Sequence, residues 1–293
     1  MKQKLLYNLL LIAGMVILAL ISLPKPQTQQ EQGFKAHRMV AHAMGEIEGL
    51  TYSNCYEAFI DNYDKGFRVF EVDLLLSSDG RLIARHEWGE SFTKQLGQQN
   101  ELEADRRGAV LTHAEFKSAK INGEFDPLDW GDILDLMERY PDAYIVTDTK
   151  QTKAEEIQRI FAQIVGEAMA KNPALLERVV PQIYSRAMWE PIERIYPFDS
   201  VIFTLYQTQE SDEEVVRFAK EKDLAAITMS DVRANRDLIG ELNRIGVASY
   251  VHTINDPKML AKFKKMGAYG FYTDVLTESD LAQSTGLRSL WHN

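Results

Sequence analysis

From residue 37 onward the chain alternates short apolar runs with longer stretches in which apolar residues recur at helical spacing. The runs at 39–43, 68–74, 143–148, 179–183, 200–205, 225–229, 247–251 and 269–273 are too short for helices and predict buried strands. Between them, 54–65, 130–140, 153–171, 187–196, 211–222, 234–245 and 257–266 predict amphipathic helices; Ile157, Ile160, Phe161 and Ile164, for example, share one face. Eight strands joined by helical crossovers predict an α/β chain folded as a (β/α)8 TIM barrel. A ninth run, 82–85, follows the second strand after only Ser77-Ser78-Asp79-Gly80. A parallel neighbour needs a long crossover, so this run is expected to return as an antiparallel hairpin through the Asp79-Gly80 turn. The polar segment 90–126 then reads as a lid or wall above the barrel rim, partly helical over 112–119, with a plain surface insertion as the alternative. An open doubly wound sheet is the alternative architecture. The absence of a Gly-rich loop after the first strand argues against its nucleotide-binding form.

Ahead of this pattern, Lys2 and Lys4 precede a charge-free stretch at 5–23. At about 19 residues it is just long enough to cross a bilayer as a transmembrane helix. A cleaved signal peptide competes, but 19–24 offers no small-x-small cleavage site. The expected organisation is therefore an anchor or uncleaved signal at 1–23, a Pro/Gln-rich tether at 24–34 and the barrel at 35–293. With lysines leading, the N-terminus is expected in the cytoplasm, making this a single-pass membrane protein with its folded domain extracytoplasmic. A net charge of -10 argues against a nucleic-acid partner and requires a local cation for any anionic substrate. The single cysteine, Cys55, excludes an intrachain disulfide and a cysteine zinc site; in the first helix it reads as a small, semi-buried side chain.

The chemistry gathers at strand ends. Glu71 and Asp73 lie two apart and so share a face, opposite Phe70, Val72 and Leu74. Two buried carboxylates repel unless a divalent metal or an Arg/Lys partner lies between them. His42 closes the first run and His86 the hairpin run, while Asp148 and Lys150 again fall two apart at the end of another strand. The C-terminal ends of barrel strands form the active face, where His42, Glu71, Asp73 and Asp148 all fall. Gln182, Tyr184 and Arg186 follow the next strand and are candidate phosphate contacts, with a salt bridge the alternative for Arg186. His252 and Asn255 are candidates for the pocket wall, as are Thr204, Tyr206 and Gln207. Arg85 points away from His86 and reads as structural; His37, His113 and His292 read as surface residues.

The ordered set His42, Glu71-x-Asp73, His86, Asp148-x-Lys150 resembles the glycerophosphodiester phosphodiesterase family, within the phospholipase C-like phosphodiesterase barrels. Family-like pieces follow in order: Asn54 opening the first helix, Asp79-Gly80, residues 127–134, His252-Thr253-Ile254-Asn255 and the segment ending at Asp274. The likeness spans residues 42–274. It implies that Glu71, Asp73 and Asp148 hold one divalent cation, Mg²⁺ or Ca²⁺, that Lys150 stabilises the phosphorane, and that His42 and His86 divide the proton transfers. Several positions depart from the pattern. The family's His-Arg-Gly is His42-Ala43-Met44-Gly45 here, which makes Arg186 a substitute for the missing arginine. Its Glu-Asn-Thr is Ser53-Asn54-Cys55, its third metal carboxylate is commonly Glu rather than Asp148, and His252 replaces a tryptophan. Asp148-x-Lys150 also looks like the sphingomyelinase D branch of the same group. The resemblance implies an anchored metal-dependent phosphodiesterase acting on a glycerophosphodiester, a phospholipid-derived substrate or a glycerol-phosphate polymer. A phospholipase D-like lyase releasing cyclic phosphate, or a non-catalytic barrel binding an anionic glycan, are the alternatives.

Overall fold

The computed structural model describes residues 32–284. The expected anchor at 5–23, the tether up to residue 31, and His292 lie outside them. Among the described residues no helix is long and apolar enough to cross a membrane. Nine strands form in this stretch: β1 Met39–Ala41, β2 Val69–Leu76, β3 Leu82–Ala84, β4 Tyr144–Asp148, β5 Val179–Ile183, β6 Ile202–Thr204, β7 Ala226–Ser230, β8 Ala248–His252 and β9 Gly270–Thr273. All but β3 run parallel in the order β1-β9-β8-β7-β6-β5-β4-β2, and β1 pairs with β2 to close the ring. The closed eight-stranded parallel barrel is thus the architecture, and the open-sheet alternative is excluded. Helices Tyr56–Asp64, Trp130–Arg139, Ala154–Lys171, Trp189–Ile195, Asp212–Glu221, Arg236–Arg244 and Pro257–Met266 make the crossovers. Several begin at strong caps. Asp129 and Ser211 each accept the N3 amide while Asp132 and Glu214 return the bond, satisfying two otherwise orphaned donors apiece.

Period-two alternation organises the barrel interior. Val40, Val69, Val146, Val180, Ile202, Ala226, Ala248 and Tyr272 come one from each barrel strand and form a single buried cluster, which only the inside of the ring allows. Phe34, in a 3-10 turn ahead of β1, stacks on Tyr250 of this cluster. The opposite strand faces, such as Phe70, Ile145, Phe203, Ile227 and Phe271, join the larger cluster shared with the helices. Gly270 opens β9 because a Cβ there would stand 2.3 Å from the Arg38 carbonyl and 2.4 Å from the Tyr250 ring.

Two residues beyond the apolar interior layer, the same face becomes polar. His42, Glu71, Asp148, Gln182, Thr204, Thr228 and Asp274 occupy these positions after β1, on β2, β4, β5, β6 and β7, and after β9. The sequence alternation therefore builds a polar ring at the C-terminal mouth.

β3 pairs antiparallel with β2, Leu74 opposite Ala84, and Gly80 turns the hairpin at φ 81°. The segment after it carries helices Glu90–Gln95 and His113–Ser118 and owns a small core of Ile83, Leu102, Leu111, Phe116 and Ala119. Arg85 ties it down: its buried guanidinium donates to the Glu87 carbonyl, Gln98 and Thr93. Two expectations are corrected. The first crossover helix begins at Tyr56, because Cys55 is its N-cap, its fully buried Sγ accepting the Ala58 amide at 3.4 Å; Cys55 is not inside the helix, and Asn54 is free for another task. His113 is not a plain surface residue, since its Nε2 stands 2.6 Å from Asp129 at the cap of Trp130–Arg139.

Candidate active site

Register brings the carboxylates together. In the β2–β4 pair Glu71 is level with Val146 and Asp73 with Asp148, so Asp73 and Asp148 project side by side across one strand spacing. Oxygens of Glu71, Asp73 and Asp148 all lie within 4.8 Å of one another, and all three residues are buried. Glu71 Oε2 accepts the Ala43 amide at 2.7 Å, and Asp73 Oδ2 accepts Asn54 Nδ2 at 2.9 Å. Asn54 Oδ1 in turn accepts the Asp73 amide at 3.0 Å, so Asn54 clamps the strand end and the carboxylate together. Lys150 Nζ lies 2.6 Å from Asp73 Oδ1 and donates to the His86 carbonyl at 2.9 Å.

Electrostatics shows what this cluster lacks. Burial and the neighbouring Asp73 charge push the Glu71 carboxyl well above the usual range, and burial with Asp73 pushes Asp148 up to about 6. Asp73 goes the other way: burial opposes its charge, but Lys150 and the two histidines outweigh burial. With Glu71, Asp73, Asp148 and Asp274 all ionised, Lys150 and a protonated His42 would leave two negative charges unbalanced. A divalent cation among the three converging oxygen ligands would balance them, and an all-oxygen set suits a hard cation. The residues present therefore fit the implied metal.

The two histidines stand differently. His42 Nδ1 is 2.8 Å from Asp274 Oδ1, and Asn255 fixes Asp274 by donating to Oδ2 at 2.5 Å and accepting its amide at 2.8 Å. Burial alone would depress His42, but the Asp274 bond and the Glu71 charge override it and raise the imidazole to about 9. His86 has no hydrogen bond to either ring nitrogen among the described residues, and burial lowers it. Tyr52 packs against both, its ring nearly perpendicular to each, with centroids 4.7 Å from His42 and 4.9 Å from His86.

His42, Glu71, Asp148, Gln182, Thr204, Tyr206, His252 and Tyr272 line a cavity of about 50 Å³. Its half opposite the carboxylates is neutral and polar. Gln182 Oε1 accepts the Tyr272 hydroxyl at 3.1 Å, while Thr204 Oγ1 and His252 Nε2 are buried without protein partners. Burial, then His42, lowers His252 to about 4, so it is neutral near pH 7.

The structure thus assembles His42, His86, Glu71, Asp73, Asp148 and Lys150, with Gln182 and His252 on the cavity wall. Three expected substrate contacts are placed elsewhere. Arg186 pairs with Glu210 at 2.6 Å and lines a separate hollow of about 500 Å³ beside Trp189, because the 3-10 turn after β5 carries it outward. Tyr184 is fully buried; its hydroxyl donates to Asp148 and accepts the Thr149 and Lys150 amides at 2.9 and 3.1 Å, which makes it a brace for the Asp148 carboxylate rather than a pocket wall. Asn255 is spent on Asp274 and Thr273. Tyr52, Asn54 and Asp274 are additions to the expected site. Asp274 carries the same mark as Asp148, an acid on the inward face at a strand's C-terminal end, and could have been found by it. Tyr52 carries none, since it lies in an irregular loop.

The sequence profile of the glycerophosphoryl diester phosphodiesterase family matches residues 37–278. A comparison with curated proteins yields no match. Among solved structures, a glycerophosphodiester phosphodiesterase from Parabacteroides distasonis superposes with a TM-score of 0.66 at 18% identity, covering 86% of this chain and 98% of that one. An Oleispira antarctica phosphodiesterase in complex with the product sn-glycerol-3-phosphate gives 0.67 at 14% identity, covering 87% and 100%. A glycerophosphodiester phosphodiesterase from Thermotoga maritima gives 0.59 at 17%, covering 86% and 98%. At such identities the structural likeness establishes the shared barrel.

Proposed function

Because the chain belongs to the glycerophosphoryl diester phosphodiesterase family, we propose that this phosphoric diester hydrolase cleaves a glycerophosphodiester with one Mg²⁺ or Ca²⁺ held by Glu71, Asp73 and Asp148. The observation that carries the reading is the convergence of three buried carboxylates within 4.8 Å, beside two histidines that face one tyrosine ring. A bound cation supplies Lewis-acid neutralisation of the phosphate oxygens. The protein groups supply the rest. Lys150 uses two of its three N–H donors on Asp73 and the His86 carbonyl and keeps one for a phosphoryl oxygen as charge builds. His42, held cationic by Asp274, is the proton donor to the leaving alkoxide. His86, neutral and with a free ring nitrogen, takes the proton of the attacking water or hydroxyl. The neutral polar half of the cavity, with Gln182, Thr204 and His252, suits the hydroxyls of a glycerol moiety better than a second charged group.

The test is turnover by the full-length protein on glycerophosphocholine and glycerophosphoethanolamine with Mg²⁺, Ca²⁺ or EDTA. Metal-dependent release of glycerol phosphate is expected, with His42→Ala or His86→Ala lowering kcat by about 10²- to 10⁴-fold. No turnover with either metal sinks the reading in favour of a binding barrel. Phosphorus NMR showing an accumulating cyclic phosphate would instead identify a lyase. We place the barrel on the extracytoplasmic side, tethered by the apolar stretch at 5–23; complete resistance to protease added to intact cells would refute that placement.

A further inference from the structure

The loop between β1 and the helix Tyr56–Asp64 is conformationally unusual. Five of its non-glycine residues have positive φ: Ala43, Met44, Glu48, Tyr52 and Asn54. Left-handed backbone is unfavourable for side chains with a Cβ, and most of all for bulky ones, so it persists where surrounding contacts impose it. For Ala43 and Asn54 the reason is on view, since their backbone amide or side chain holds Glu71 and Asp73. Tyr52, at φ 61°, has no such bond; its hydroxyl has no partner among the described residues. Its ring packs against both imidazoles.

The two histidines do not depend on that ring equally. His42 is oriented by Asp274 through a hydrogen bond. His86 has no hydrogen bond to its ring, which packs against Tyr52 at 4.9 Å and Phe92 at 5.6 Å. An imidazole held by packing alone takes its position from the side chains against it. Proton transfer tolerates little misplacement, because the base must lie within hydrogen-bond reach of the proton it removes. In-line displacement at phosphorus also needs acid and base on opposite sides of the reacting atom, so the separation of the two rings matters as well as their presence.

We propose that Tyr52 is the positioning residue that fixes the His86 imidazole relative to His42 by packing against both rings. This rests on reading the two histidines as the proton-transfer pair. It acts through its ring and not its hydroxyl.

The experiment is a double-variant cycle on the full-length protein with glycerophosphocholine and Mg²⁺, using Tyr52→Phe, Tyr52→Leu, His86→Ala and the Tyr52→Leu/His86→Ala pair. Tyr52→Phe is expected to keep kcat within about twofold, because the ring remains. Tyr52→Leu should lower kcat about 10-fold or more with KM within about threefold, as misplacing a reacting group does. The paired variant should be no slower than His86→Ala alone, because there is no longer a base to misplace. An additive loss in the pair, or an unchanged kcat in Tyr52→Leu, overturns the inference. Full activity in His86→Ala overturns the reading of the site beneath it, a separately visible failure. Should Tyr52→Leu not fold, Tyr52→Asn, whose residue tolerates left-handed backbone, carries the same expectations.

Discussion

His42 and His86 have the same side chain and opposite protonation biases, and the difference lies in one neighbour. Asp274 gives His42 a charged hydrogen-bond partner, whereas His86 is packed against aromatic rings. Asp274→Asn should therefore lower kcat by roughly 10- to 10²-fold, part of what acid catalysis contributes, with little change in KM. It should also change stability in a pH-dependent way. A histidine whose folded pKa is raised to about 9 adds stability that is fully present below its ordinary value of 6.5 and is lost as pH rises through about 9. In the metal-free protein the wild type should exceed Asp274→Asn by roughly 1.5–3 kcal/mol near pH 6, the gap closing toward pH 9.5 in denaturant titrations. A gap that widens with pH would refute the pairing. At this scale the sequence disclosed the acids and imidazoles on inward strand positions, because period two is a local rule. Tyr52 was hidden, because a left-handed loop has no period to read. Arg186 was misjudged, because a short 3-10 turn after β5 aims it at Glu210.

Elements follow local chemistry until two demands fall on one residue. The β2–β3 hairpin was readable from Asp79-Gly80, and the helix Pro257–Met266 from its own limits, with Pro257 at its start and the left-handed Gly267 at its end. The helix Tyr56–Asp64 was not readable to the residue. Asn54 has the better capping side chain, yet it is taken by Asp73, and the cap passes to Cys55, a residue rarely chosen for it. The segment at 90–126 is tied by the buried Arg85, by His113 on Asp129 and by Phe92, Leu96, Ile121 and Phe125 in the main core. Arg85→Met should leave Gln98, Thr93 and the Glu87 carbonyl without their donor. We expect roughly 2–4 kcal/mol of lost stability, with amide hydrogen exchange accelerated over 86–126 ahead of the barrel strands. Uniform acceleration across all strands would show that this segment is not a separate unit. Because Phe92 of the segment packs on His86, kcat should fall in the same variant.

For the molecule as a whole, the charge deficit at the mouth is a stability term as much as a catalytic one. Binding a dication only in the folded state stabilises it by about 2.7 kcal/mol at a hundredfold excess over Kd. Thermal unfolding of the full-length protein should therefore shift upward by roughly 5 °C in millimolar Mg²⁺ or Ca²⁺, reversibly with EDTA, and Asp73→Asn should abolish the shift. Equal melting with and without both metals would rule out the site. The sequence by itself determined which side chains face inward at the end of each strand, because alternation and crossover length depend only on near neighbours. It therefore delivered the barrel and most of the polar ring. Only closure decided who meets whom: β1 against β9 brings His42 to Asp274 across 232 residues, and β2 against β4 sets Asp73 beside Asp148. The direction of the turns beyond the strands was likewise tertiary, since it sends Arg186 outward and Tyr52 inward. Pair identity is a property of register and ring closure, which no local stretch of chain contains.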